Sequence, residues 1–247
     1  MTELINSFAP ISLEQMAGVK LMNRTDTKFV TTTERLRLLL EMARSDYYIQ
    51  EINGERNLEY DTTYFDTTEY DMYRQHQWNH TNRQKIRFRT YCINGLQFME
   101  VKTKNNHGRT KKKRIEVSDM DVLTTDKRNF LEKHLRYEAE ALQPALNNHF
   151  SRITLVNRAK TERLTIDSQL RFHNIVNSQD KDMGNLVIIE LKRDGLVYSP
   201  VLEMLRQLRI HPHGFSKYCM GSALTNPQLP INRFKSKLIE INKIITK

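Results

Sequence analysis

The sequence has few cysteines and no long apolar run, and these absences exclude several classes of protein. Only Cys92 and Cys219 occur among its 247 residues, without a Cys-x-x-Cys pair, so neither a disulfide framework nor a cysteine zinc site is expected. No stretch approaches the roughly 18 consecutive apolar residues of a membrane-spanning helix. The opening MTELINSFAP lacks the basic and apolar segments of a secretory signal. We therefore expect a soluble cytoplasmic protein, or one held at the inner face of a membrane by a partner.

Acidic residues are too few to balance the basic ones. The chain has 39 Lys and Arg against 29 Asp and Glu, for a formal net charge of +10. This imbalance indicates an anionic partner, which could be nucleic acid, an acidic membrane surface or a phosphate-rich small molecule. The motif GxxxxGK[ST] is absent, so a P-loop is excluded as the phosphate site.

The stretch 85–104 is predicted to form a β-hairpin around Asn94-Gly95, with a two-residue type I′ turn. Such a turn fixes the register, with Arg89 opposite Glu100, Arg87 opposite Lys102 and Lys85 opposite Lys104. Each like-charged pair would cost about 0.2–1 kcal/mol, unless an anion lies over the row and accepts charge-assisted hydrogen bonds. A strand pair with one solvated face explains this hairpin equally well.

At least six predicted strands repeat this pattern, in which charged residues alternate with apolar or β-branched ones. The charged rows are Arg24, Asp26 and Lys28; Lys85, Arg87 and Arg89; Glu100, Lys102 and Lys104; Lys112, Arg114 and Glu116; Arg163 and Asp167; and Glu190 and Lys192. Six such rows favour a closed antiparallel barrel with a charged lumen and helices packed outside. An open sheet with a solvated face is the alternative, and cross-strand repulsion is its main difficulty.

Four of the predicted helices matter for the site. Thr125 to Asn148 reads as one long amphipathic helix that divides the chain into halves. Pro200 begins a helix through Arg209, Ser216 caps another, and residues 231–245 form a basic amphipathic helix.

A lumen of Lys and Arg with a few carboxylates suits phosphoryl chemistry. Arg binds phosphate oxygens bidentately, and Lys supplies a point charge. A carboxylate such as Glu190 can hold a hard divalent cation that bridges phosphate oxygens. Catalysis then needs little beyond positioning and charge stabilisation.

An ordered set of motifs resembles the VTC-type polyphosphate polymerase domain of the CYTH-like triphosphate tunnel metalloenzymes. The motifs are RTDTKFV, TYFDT, KIRFRTY, FMEVKTK, KKKRIEV, RLTID, IIELK and FSKY. The resemblance covers roughly Arg24 to Met220. The resemblance implies an α+β fold, a closed eight-stranded antiparallel tunnel within a single domain 1–247 whose core is about 24–220. It also implies an ATP-dependent polyphosphate polymerase. With Mn²⁺ or Mg²⁺, this enzyme would transfer the terminal phosphoryl group of a nucleoside triphosphate to a growing polyphosphate chain.

The resemblance, together with the charged rows, implies the site residues. Those expected to act in catalysis are Arg87, Arg89, Lys102, Arg158 and Lys217. Those expected to bind phosphates are Lys28, Lys85, Lys104, Lys112, Arg114, Arg163 and Ser216. Glu190 is the expected metal ligand, with Glu100 and Asp26 as further candidates. Asp66 of TYFDT is expected to tie a loop to the barrel.

Two departures from the family pattern affect these expectations. Arg24 and Asp26 stand where the wider superfamily has the two glutamates of Glu-x-Glu-x-Lys, as is usual for VTC-like members. Val156 stands two residues before Arg158, where an aromatic often lies in the family, so this position lacks a ring on which a base could stack.

Three functions remain open from the sequence. Besides the polymerase, the same lumen could admit water as nucleophile and act as a tunnel-type triphosphatase. A non-catalytic polyanion- or nucleic-acid-binding module is the third. Nucleic acid is disfavoured because the cations alternate with acids and few aromatics are placed as stacking platforms. The expected partners are ATP and polyphosphate, and translocation of the product across a membrane would need a membrane-protein partner.

Overall fold

The computed structural model describes residues 1–17, 24–107, 109–195 and 197–246, without the side chains of Ala17 and Arg24. The helices are α1 Thr2–Asn6, α2 Leu13–Ala17, α3 Thr33–Ala43, α4 Asp71–Gln77, α5 Thr125–His134, α6 Pro200–Gln207, α7 Lys217–Thr225 and α8 Lys235–Ile245. The strands are β1 Ala9–Ile11, β2 Arg24–Thr32, β3 Tyr47–Gln50, β4 Leu58–Thr67, β5 Arg83–Tyr91, β6 Gln97–Lys104, β7 Thr110–Val117, β8 Leu142–Asn157, β9 Glu162–Asn174, β10 Asp180–Asp182 and β11 Leu186–Asp194.

The eleven strands form one sheet that is not closed. Its main path runs β2-β11-β9-β8-β4-β5-β6-β7, and β1, β3 and β10 pair at its side. The predicted closed eight-stranded barrel is therefore wrong, because within the described ranges no ladder joins β7 to β2. The composition of β7 accounts for the open edge. It is largely exposed and carries four successive cations, Lys111–Arg114, and a basic edge strand resists further pairing.

The hairpin between β5 and β6 has a longer loop than predicted. The Tyr91 backbone N–H donates to the Leu96 carbonyl at 2.9 Å, so four residues form the loop and Arg87 lies opposite Glu100. The predicted register is therefore wrong by two residues. The Cys92 N–H donates to the Glu59 carbonyl at 3.1 Å, which keeps the chain beside β4 beyond the predicted turn. A shift of two preserves the face of every side chain.

The long helix predicted over Thr125 to Asn148 is wrong beyond its first half. Helix α5 ends at His134, and β8 begins at Leu142. Pro144 explains the change, because proline lacks an N–H and breaks a helix interior. In β8 it pairs with Phe65, where the register of the ladder shifts. The C-terminal helix, predicted over 231–245, begins at Lys235.

The two faces of the sheet have different coverings. On the apolar face, α3 and α6 pack against β9 and β11, and α5 packs against β5 and β6. The opposite face carries the charged rows and is called the charged face below. At one end of this face the rows give way to apolar residues, where α7 packs so closely that a Cβ on Gly221 would lie 2.5 Å from the Phe172 ring. Among the described helices, none has the length and apolar character needed to cross a membrane.

Candidate anion-binding site

Three carboxylates on the charged face are each held by two cations from other positions. Glu190 on β11 pairs with Lys28 at 2.8 Å and with Lys192. Glu100 on β6 pairs with Arg87, whose Nε lies 2.6 Å away, and with Lys112 at 2.8 Å. Asp167 on β9 accepts from Arg152 at 2.6 and 2.8 Å and pairs with Lys217 at 2.7 Å. Seven strands and the start of α7 thus supply one cluster.

These carboxylates are ionised because their cations outweigh burial. Burial alone would raise the pKa of Glu100, but Arg87, Arg89 and Lys112 lower it well below its usual value. The pKa of Glu190 is likewise lowered, against burial, by Lys28 and Lys192. The pKa of Asp167 is lowered in the same way by Arg152 and Lys217. Since each carboxylate has two cations, the face keeps a positive excess.

Arg89 adds to this excess without a carboxylate of its own. Its Nε donates to Thr62 Oγ1 at 3.3 Å, and its guanidinium lies over the rings of Tyr60 and Phe150 at 5.5 and 5.7 Å. Burial lowers the pKa of Arg89 to about 10, with further lowering by Arg87 and Arg152. The two aromatic rings therefore stabilise a guanidinium that lies among other cations.

The surroundings of Lys102 indicate that the sheet curls, so that strands far apart in the sheet order face one another across the charged face. Its ammonium makes no hydrogen bond or ion pair with any described residue. The charge of Arg87, and then burial, lowers the pKa of Lys102 well below its usual value, while Glu190 on β11 opposes this shift. Strands β6 and β11 are far apart in the sheet order, so this interaction acts across the charged face. The predicted convergence of cations is present although the barrel is not closed.

Lys85 and Ser216 meet at the start of α7. The Lys85 ammonium lies 2.7 Å from Ser216 Oγ and 3.1 Å from His76 Nδ1. Ser216 also caps α7 as predicted, by accepting from the Cys219 N–H at 3.3 Å. Two predicted phosphate-binding residues are thus in direct contact.

Other predicted residues lie at the margin of the cluster. Arg114 is exposed and covers the Phe98 ring at 4.5 Å. Lys104 is half-buried opposite Arg83 at the end of the β5–β6 ladder. Arg163 lies opposite Lys192, which lies opposite Asp26 on its other side. These positions extend the charged face along its strands.

Arg158 is not brought together with the cluster. It is exposed beyond the end of β8, where its Nε donates to the Ser45 carbonyl at 3.1 Å and its guanidinium lies 4.1 Å from the centroid of the Tyr48 ring. The expected role of Arg158 stays a prediction.

Sequence reasoning gave no role to three residues that the structure places in the cluster. Asp167 and Lys192 belonged to the charged rows but were assigned no function, and Arg152 was missed. Arg152 is the one residue of β8 that is Lys, Arg, Asp or Glu. This isolated charge was the signal in the sequence that could have marked it as a site residue. Asp66 has the predicted structural role, accepting from three backbone N–H groups and from the Tyr218 hydroxyl.

The carboxylates fit a divalent cation only if phosphate supplies most of its ligands. Within the described residues no three His, Cys, Asp or Glu side chains are grouped to hold a metal. Both Glu190 oxygens contact ammonium groups. Mg²⁺ is commonly held by one or two carboxylates together with water and substrate phosphates. Glu190 suits that arrangement, and a cation held by protein groups alone does not fit.

Comparison with known proteins identifies the sequence family and matches the fold. The sequence model of the VTC domain family matches residues 23–226. No protein with a curated description matches the chain. A Bacillus halodurans protein described as a candidate adenylate cyclase superposes with a TM-score of 0.52 at 14% identity, covering 86% of this chain and 99% of that one. A candidate adenylyl cyclase from Hippeastrum, described as having dominant triphosphatase activity, gives a TM-score of 0.49 at 12% identity, covering 85% and 99%.

Proposed function

Since the chain belongs to the VTC domain family, we propose that it is an ATP-dependent polyphosphate polymerase. It would transfer the terminal phosphoryl group of a nucleoside triphosphate to a growing polyphosphate chain bound on the charged face. The observation that carries this proposal is the convergence of cations from several strands around Lys102, which makes no hydrogen bond or ion pair with any described residue. Such an excess of charge is relieved when a polyanion binds.

The cations divide into two proposed groups. Arg87, Arg89, Lys102 and Lys217, with Arg152 added from the structure, would stabilise the charge that develops on the transferred phosphoryl group. Lys28, Lys85, Lys104, Lys112, Arg114, Arg163 and Ser216 would bind the remaining phosphates. Arg158, from its outlying position, would contact only an extended substrate.

A divalent cation, Mn²⁺ or Mg²⁺, would enter with the triphosphate. Glu190 would hold it, with Glu100 and Asp26 as further candidates, and the ion would neutralise and orient the phosphate oxygens. Lys28 and Lys192 contact Glu190, so this chain's own ammonium groups would be shared between the carboxylate and the phosphates.

The test uses Lys102→Met with Lys111→Met as its matched control. Lys111 lies on the next strand opposite Thr103, exposed and on the other face. Wild-type protein with ATP and Mn²⁺ should produce long-chain polyphosphate. Lys102→Met should lower kcat/KM by about 10²–10³, as loss of one transition-state donor does. The same change should leave the urea midpoint unchanged or higher, because it removes repulsion with Arg87.

Other outcomes select the other functions. Orthophosphate as the only product would identify a tunnel-type triphosphatase. Salt-steep binding of a polyanion without turnover would identify a non-catalytic binding module. Equal loss of activity in the two variants would refute the assigned role of the charged face.

A further inference from the structure

The C-terminal helix α8 packs beside the end of the cationic row on β5. The Phe234 ring lies 5.6 Å from the His76 ring, edge to face. In the amide orientation that satisfies both of its polar atoms, Gln77 accepts from the backbone N–H groups of Asn232 and Arg233 at 3.0 Å. These contacts fix the start of α8 against α4, and α8 lies beyond the residues that the family model matches.

This packing gathers cations from separate elements around His76. Lys85 lies 3.1 Å from its Nδ1. Burial, and then the charges of Lys85, Arg83, Lys237 and Arg233, lower the pKa of His76 to about 2, so its ring is neutral at ordinary pH. The Lys237 ammonium reaches toward the segment that precedes α7, since a Cβ on Gly214 would lie 3.2 Å from it.

The outer members of this group have no carboxylate partner. Within the described ranges, no ion pair joins Arg83, Lys104, Arg233 or Lys237 to an acid. Glu240, on the next turn of α8 from Lys237, pairs with His213 at 3.2 Å. By contrast, Glu100, Asp167 and Glu190 each hold two cations, and we call these three carboxylates and their cations the inner cluster. We call Arg83, Lys104, Arg233 and Lys237 the mouth cluster.

The mouth cluster continues the row of cations that contains Lys85 and Lys102. Lys102 lies opposite Lys85, and the next pair on the same face is Lys104 opposite Arg83. Arg233, exposed in the turn before α8, and Lys237 on α8 extend this line. An anion that extends from Lys102 past Lys85 would therefore meet these four side chains next.

We propose that the mouth cluster is an outer subsite that binds the polyphosphate chain beyond the segment held on the charged face. A linear chain of phosphates fits, because successive charges along the chain can contact the cations of β5 and β6 and then those at the start of α8. The identity of this ligand rests on the proposed function, whereas the subsite rests on the placement of its four cations. A triphosphate held on the charged face would not reach Arg233 and Lys237.

The test compares Arg233→Ala/Lys237→Ala with the control Lys235→Ala/Lys243→Ala. The control removes the same charge from α8 but at an outward groove that Lys235 and Lys243 line. Dissociation constants are measured for tripolyphosphate and for long-chain polyphosphate at several salt concentrations. The mouth variant should bind long chains about tenfold more weakly and lose about one unit of salt slope for each cation removed. Its affinity for tripolyphosphate, and both affinities of the control, should stay within twofold of wild type.

Any of three results would overturn the subsite. In one, the control loses long-chain affinity as much as the mouth variant does. In the other two, the mouth variant binds long chains as wild type does or loses tripolyphosphate to the same extent. Binding is scored separately from turnover. Length-dependent loss in a protein that makes no polyphosphate would support the subsite and refute the polymerase. Unchanged long-chain binding in an active polymerase would refute the subsite alone.

Discussion

Replacing Glu100 by Gln tests whether the carboxylates of the charged face are counter-ions for buried cations. The Glu100 side chain is 0% exposed, and that of its partner Arg87 is 12% exposed. Removing one partner of a buried ion pair commonly costs about 3–5 kcal/mol, because the other charge is left uncompensated. Lys112 is 41% exposed and contributes little. We therefore expect a loss of about 3 kcal/mol.

The assay is urea unfolding with and without tripolyphosphate. Glu203→Gln is the control, since Glu203 pairs with Arg206 on the surface, and we expect it to leave the urea midpoint close to that of wild type. A bound polyanion should restore much of the stability of Glu100→Gln, because ligand at 100 times Kd adds about 2.7 kcal/mol. Its phosphates would also replace the missing counter-charge.

The pH dependence has a defined sign. Because the folded pKa of Glu100 lies well below its ordinary value of 4.5, its contribution is complete above about pH 4.5 and is lost as the pH falls below it. Equal losses for Glu100→Gln and Glu203→Gln, or a folded Glu100→Gln that no longer binds tripolyphosphate, would refute the reasoning.

Three further predictions follow from single contacts. Burial lowers the pKa of Lys192 to about 8, so affinity for tripolyphosphate, measured by calorimetry, should fall as the pH rises through 8. Asp66→Asn should cost roughly 2–3 kcal/mol in urea unfolding, because the amide nitrogen that replaces one carboxylate oxygen cannot accept from the Tyr73 N–H and the Tyr218 hydroxyl. Gly221→Ala should cost roughly 1–3 kcal/mol in the same assay, because its methyl would overlap Phe172.

Each of these has its own control. Lys192→Arg keeps the positive charge and should flatten the pH profile near 8, and an unchanged profile would contradict the assignment. Asp71→Asn serves for Asp66, and Gly184→Ala serves for Gly221, because a Cβ at Gly184 meets nothing within 4 Å. The φ of Gly184 is +57°, so any loss there reports backbone strain. A smaller loss at Gly221 than at Gly184 would contradict the packing argument.

Alternation of residue types was enough to predict which side chains share a face. Lys28 and Glu190, placed in rows of the same kind from the sequence, lie opposite each other and form an ion pair. The period of two survives errors of register by two residues, so the wrong hairpin turn left Arg87, Lys102 and Glu100 on the charged face. The helix starts at Ser216 and Pro200 were predicted correctly because a serine side chain caps a helix and a proline fits its first turn, whatever the rest of the fold.

Features set by long-range pairing could not be read from the sequence. The apolar residues Leu135 and Leu142 fit a helical stripe, yet they pack in one cluster from a loop and a strand. Closure of the sheet depends on whether two edge strands meet, and no local pattern decides this. Arg152 was missed because its partner Asp167 lies on another strand and is brought opposite by a ladder with a register shift.

A crystal structure with a non-hydrolysable nucleoside triphosphate would test the central claim most directly. We predict that the phosphates lie among Arg87, Lys102, Arg152 and Lys217, with oxygen-to-nitrogen distances of about 2.7–3.2 Å. A triphosphate bound elsewhere on the protein, with these four side chains still engaged only with Glu100, Asp167 and one another, would contradict the account.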